Sequence, residues 1–315
     1  MDSALIAART LHIGAAISLA GALGFHSIVA RPAYAKHGDK LPSRLIQGSA
    51  RIGWTSLALA VLSAIPWLAL VTMSMSGATL NALFADRTII TVFADTQFGQ
   101  VWVLRAGFAV LLVPALAALG TNARVDLFTT IVGIIFLAAI AWQGHAGAAA
   151  GWGGRLEAMA DALHLLAAGV WLGALLPLAL TLRELSGRVD GAALDLGYRV
   201  TAGFSMLGLA CVAALLLSGA ANAWFLVGTL PALIGTPYGL LLLAKLGLFA
   251  LMVALAAINR GHWLPRFKPA NTTCAPHAAM TQIARNALTE AAIGLVVIAV
   301  VGALGTLTPA VYLHG

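Results

Sequence analysis

Three histidines stand in unusual company: His12, His145 and His164 each fall inside or at the end of a long apolar run. A neutral imidazole offers a nitrogen lone pair that copper and zinc both accept, so three converging at one depth would make a metal site. Asp161, His164, Ala168 and Trp171 are spaced three, four and three residues apart, which aligns carboxylate, imidazole and indole on one helical face. Asp161 is placed there to orient a ligating ring. Met73 and Met75 add thioethers that suit Cu(I). A second polar set, His26, Asn259 and Glu290, falls toward the opposite ends of the runs and reads as an inner exit path. Each of these groups also has a plain reading, a hydrogen bond to a neighbouring helix, and spacing alone leaves both open.

The elements that must position these residues are membrane helices. The chain is 61% hydrophobic and only 9% charged, with a mean hydropathy of +0.94, against about 25% charged for a soluble domain. The apolar blocks are about 20 residues long, enough for a helix to cross the hydrocarbon core and too long for barrel strands. Eight spans are expected, near residues 4–30, 52–75, 99–119, 127–146, 158–182, 200–227, 238–258 and 287–310. The first run is too long and too poor in preceding basic residues for a cleaved signal, so it is expected to remain as a span.

The net charge of +7 is topological. The connections after spans one, three, five and seven carry Arg31, Lys36, Lys40, Arg44, Arg51, Arg124, Arg183, Arg188, Arg199, Arg260, Arg266, Lys268 and Arg285, while the other side holds Arg9, Arg87, Arg105, Arg155 and Lys245. The positive-inside rule puts the first group in the cytoplasm and both termini outside it. Nucleic acid is not implied. Arg105 and Lys245, near the outer ends of their spans, are expected to snorkel to the headgroups, with salt bridges to Asp86, Asp95 or Asp161 as the alternative. Cys211 and Cys274 match no redox or metal motif, and no phosphate-binding loop suggests ATP coupling.

The two halves resemble each other. Leu11, His12, Ala15, Ala16, Gly21, Ala22 and Leu23 match Leu163, His164, Ala167, Ala168, Gly173, Ala174 and Leu175 without a gap. Thr96, Phe98, Gly99, Arg105 and Gly107 have the spacing of Thr236, Tyr238, Gly239, Lys245 and Gly247. A single all-α membrane domain built as two parallel four-helix repeats is therefore expected, residues 1–150 (1–122 plus 123–150) and 156–315, with His12 and His164 at similar depth around a shared centre.

The segments RTLH at His12, TQFG at Thr96, GHAG at His145 and DALHLLAAGVWLGALLPL around His164 resemble the copper resistance protein D (CopD) family. So do LSGAANA at Leu217, TPYGLLLLAKLGLF at Thr236, INR ending at Arg260 and the last helix with Glu290. The resemblance covers nearly the whole chain. It implies a place in the bacterial inner (cytoplasmic) membrane with both termini periplasmic, copper movement between periplasm and cytoplasm, a periplasmic copper-binding partner of the CopC type, and a copper-handling role for His12, His145 and His164. The expectation is a copper permease for homeostasis or resistance, not an enzyme. Two alternatives stand beside it: an electron-transfer protein with b-type haem between two outer histidines, and a membrane scaffold that docks a periplasmic copper carrier. His12 and His26 share a helical face about 21 Å apart, but no other span repeats that interval, so two stacked haems are not expected.

Overall fold

The computed structural model describes residues 2–77, 79, 88–143, 151–188, 190–267 and 276–313, and the regular structure among them is helical. Eight helices are long and apolar enough to cross a membrane: α1 (Ser3–His37), α2 (Ser43–Ser74), α3 (Gln97–Ala117), α4 (Ala123–Gln143), α5 (Trp152–Ser186), α6 (Gly191–Leu226), α7 (Pro237–Phe267) and α8 (Pro276–Leu304). The protein is an all-α, multi-pass membrane protein. Several helices overrun the expected spans; α1 continues to His37 through a π-helical stretch, Phe25–Ala30.

Helices α1 and α5 occupy the middle. In their most apolar stretches 78% and 67% of residues are enclosed by other helices, against 6% for α7. Small residues make this packing close, as membrane helices require when dispersion rather than water drives association. Gly21 of α1 and Gly173 of α5 touch: a Cβ on either would fall onto the backbone of the other. Gly133 of α4 makes room for Leu23, and Gly294 of α8 makes room for Leu172. Helices α4 and α8 each pack against both α1 and α5, while α2 lies on α1 and α6 on α5.

Helix α5 is interrupted at Gly173 and Ala174 and resumes at Leu175. Pro177 explains the break, because it supplies no N–H to the carbonyl four residues earlier and its ring crowds that carbonyl. The TQFG and TPYG segments each build a helix start. Thr96 accepts a hydrogen bond from Gly99 N at 3.0 Å to cap α3, and Thr236 accepts one from Gly239 N at 3.0 Å to cap α7. Each threonine also donates to a carbonyl four residues back, Val92 at 2.6 Å and Ala232 at 2.7 Å. The glycines are needed because a Cβ at either would strike the backbone of the short helix that precedes it.

The start of α1 and the end of α8 lie together: Gly302 sits against Thr10 and the Ile6 carbonyl, and Gly305 against Arg9.

Candidate metal-handling site

His12 and Gly21 are nine residues apart, about two and a half helical turns. The imidazole therefore leaves α1 on the side opposite the α1–α5 crossing, and the same holds for His164 and Gly173 on α5. His12 turns to α2, where its Nδ1 donates to the Ala60 carbonyl at 2.9 Å and lies 3.3 Å from Ser63 Oγ. A carbonyl can only accept, so the proton is on Nδ1 and Nε2 carries the lone pair. That Nε2 is buried and has no hydrogen-bond partner among the described residues. Aromatic rings wall it in: Trp67 at 4.8 Å between centroids, Trp102 at 5.3 Å and Phe136 at 6.5 Å.

Arg105 does not snorkel; it is 1% exposed. Its Nε donates to the Phe136 carbonyl at 3.1 Å and its Nη1 to Gln143 Oε1 at 3.1 Å. The guanidinium lies over Phe136 at 4.4 Å and beside Trp102 at 5.4 Å. Helix α4 tightens to a 3-10 turn over Ala139–Gln143, and that change of winding leaves the Phe136 carbonyl to a side-chain donor.

His164 turns to α6 and α7. Its Nδ1 is 3.1 Å from Ser218 Oγ, and its Nε2 is 3.3 Å from Lys245 Nζ. Ser218 spends its own proton on the Ala214 carbonyl at 2.6 Å, so His164 donates from Nδ1 and accepts from Lys245 at Nε2. Gly219 leaves space for the ring. Lys245 is thus half-buried and turned inward, not snorkelled. Asp161 accepts from Asn222 Nδ2 at 3.5 Å and lies within electrostatic reach of Lys245, Glu157 and Arg9. Trp171, on the same face of α5, is 2% exposed and packs edge-on to Phe249.

The expected shared cage is not assembled from described residues. No three His, Cys, Asp or Glu side chains gather at ligating distance among them, and His12 and His164 face away from their common crossing. The alignment gave equal depth but not direction; a half-turn between each histidine and its contact glycine sends the rings apart. His145 and Met75's side chain lie outside the described residues, and Met73 is half-buried near the end of α2.

The expected inner set also divides. His26 and Asp126 are both 0% exposed, with His26 Nε2 2.9 Å from Asp126 Oδ2. Arg31 donates to the same oxygen through Nε and Nη2, and Gly120 N donates to Oδ1 at 2.7 Å. This cluster clamps the π-helical stretch of α1 to the first turn of α4, and it is separate from Asn259 and Glu290. Those two bond each other across α7 and α8 at 2.9 Å, with Asn286 donating to Asn259 at 2.7 Å. They line a cavity of about 160 Å³ with Trp171, Phe204 and Arg260. Ser63, Ser218, Trp67 and Asp126 were not anticipated as site residues. Asp126, a carboxylate at the start of an apolar run, carried the one usable signal.

Residues 1–155 match the model of the copper resistance protein D-like N-terminal domain, and residues 198–304 match that of copper resistance protein D. Copper resistance protein D of Pseudomonas syringae pv. tomato is 34% identical over 91% of this chain and 90% of its own length. The chain belongs to the copper resistance protein D family. The inner membrane protein YebZ of Escherichia coli strain K12 is 33% identical over 68% of this chain and 70% of its own length. The copper transport protein CutJ of Bacillus subtilis strain 168 is 28% identical over 69% of this chain and 40% of its own. No solved structure matches. The copper resistance protein D models cover the His12 box and the helices bearing Ser218, Lys245 and Glu290; His164 and Asp161 lie in the stretch between the two matches.

A b-type haem held between His12 and His164 does not fit this arrangement. Trp67, Trp102 and Phe136 fill the volume beside His12, and Lys245 occupies the nitrogen of His164 that would bind iron.

Proposed function

We propose that the protein moves copper across the bacterial inner membrane, from periplasm to cytoplasm, in copper homeostasis. The observation that carries this reading is His12 Nε2: a buried, oriented nitrogen lone pair with no hydrogen-bond partner among the described residues. A polar atom in that state inside a membrane domain is costly unless it has a ligand to receive. The names of the relatives, copper resistance and copper transport, supply the ion.

In this reading His12 and His145 take the ion near the periplasmic face. His145 follows by two residues Gln143, which Arg105 fastens beside the His12 box. Met73 contributes a soft sulfur when the ion is Cu(I). Two or three ligands hold copper firmly enough to collect it and loosely enough to pass it on. His164, with Asp161 behind it, is the matching position in the second half, and Asn259 with Glu290 forms the inner exit. The halves are two four-helix repeats about an axis between Gly21 and Gly173, with both termini periplasmic, where a CopC-type carrier delivers the ion.

The test is metal analysis of detergent-purified protein together with copper uptake into proteoliposomes. Bound copper is expected in the wild type, and His12→Ala is expected to remove one equivalent and most uptake. Unchanged stoichiometry in His12→Ala removes His12 from the site. A Soret band at one haem per chain overturns the permease reading.

A further inference from the structure

His12 and His164 occupy matching places in the two halves, yet one nitrogen is open and the other is covered. Both imidazoles are fixed as the Nδ1–H form by a partner on the neighbouring helix, Ala60 O for His12 and Ser218 Oγ for His164. Both have a basic residue within electrostatic reach. In the first half that residue is Arg105, whose Nε and Nη1 go to the Phe136 carbonyl and Gln143 while its buried Nη2 has no hydrogen-bond partner among the described residues. In the second half it is Lys245, whose Nζ donates straight to Nε2 at 3.3 Å. The difference follows from the donors: a guanidinium has five N–H groups in a fixed fork and can be tied off laterally, whereas an ammonium on a flexible stem follows the nearest lone pair.

We infer that Lys245 is the built-in competitor of the transported ion at His164 and determines which cations can occupy that position. This rests on the copper reading above. A cation reaches His164 Nε2 only by displacing a hydrogen bond from an ammonium, so ions with little affinity for imidazole, such as sodium or magnesium, do not open the site. An ion with high imidazole affinity does. The displaced ammonium has a destination, because Asp161 lies within its electrostatic reach and receives, among the described residues, a long hydrogen bond from Asn222 at 3.5 Å. Occupation of His164 and formation of a Lys245–Asp161 pair are then one event, and departure of the ion reverses it. The same contact keeps ion residence short, as transfer requires.

Two measurements on the full-length protein test this. The first needs no copper: diethyl pyrocarbonate reacts with an imidazole nitrogen whose lone pair is free, and peptide mass spectrometry reads the modification of His164. Lys245→Leu, which removes the ammonium and adds no donor or metal ligand, is expected to raise the modification rate of His164 several-fold while leaving that of His12 unchanged. An unchanged His164 rate overturns the inference. The second is copper affinity by chelator competition. Removing a charged hydrogen bond from the ligand nitrogen is expected to tighten binding at this site about 10- to 100-fold, and the gain disappears in Lys245→Leu/His164→Ala. Weaker binding in Lys245→Leu makes Lys245 a ligand and also overturns the inference. Lys245→Ala serves as the second variant if Lys245→Leu does not fold. Should His164 become more reactive in the variant while neither protein binds copper, the masking contact stands and the copper reading falls.

Discussion

Gly21 and Gly173 meet backbone to backbone at the crossing of α1 and α5, with no room for a side chain on either. The positions nine residues earlier are His12 and His164, so one close contact fixes the rotation of both helices and sends the imidazoles apart, His12 to α2 and His164 to α6 and α7. The crossing separates rings that the sequence suggested as one cluster.

A methyl group at the crossing must push the two central helices apart. Gly21→Ala and Gly173→Ala are each expected to cost about 1–3 kcal/mol and to lower the thermal unfolding midpoint in detergent. Gly24→Ala is the control, because nothing lies within 4 Å of the Cβ it would gain. Equal midpoints for all three variants would show that the helices separate freely.

Arg105 keeps the His12 nitrogen open by being bound elsewhere. Arg105→Lys is expected to lose the fork to Phe136 O and Gln143, destabilising the protein by about 1.5–3 kcal/mol. The new ammonium is then free to turn to His12 Nε2, reproducing the arrangement at His164. Copper affinity of the first site is expected to fall about tenfold, read by chelator competition in a His164→Ala background. An affinity equal to that of the parent would mean that the basic residue has no influence on the imidazole.

The clamp of His26, Arg31 and Asp126 is structural in its geometry, with every partner directed at one carboxylate. Asp126→Asn is expected to cost about 3 kcal/mol, the usual consequence of leaving buried partners uncompensated, and to leave copper stoichiometry unchanged. Loss of bound copper at normal stability would instead place His26 on the ion's route.

The helical class and the eight spans were legible because they depend on composition and run length, which are local. Thr96 and Thr236 were read as matching positions of the two halves and not as caps, although a cap involves residues three apart and the spaced Thr and Gly carried that signal. Arg105 was misplaced because snorkelling is the default for arginine near a span end; its real partner is a backbone carbonyl released by a change of winding in another helix. Direction was the second loss. His12 and His164 could be aligned by sequence, but which way each ring points is set by the Gly21–Gly173 contact, which joins residues 152 positions apart. The pairing of His26 with Asp126, across 100 residues, belongs to the same class of information. Asn259 and Glu290, each polar near the same end of its run, bond each other, while His26, which satisfies the same rule, bonds Asp126.

The interruption of α5 at Gly173 has a mechanical meaning. Pro177 severs the ladder of backbone bonds at the spot where α5 leans on α1, so the portion bearing Asp161 and His164 is coupled to the portion bearing Arg183 by a joint instead of a rigid rod. Tilting the portion that bears His164 leaves the crossing in place, and the imidazole covered by Lys245 can travel without dragging the Arg183 end along with it.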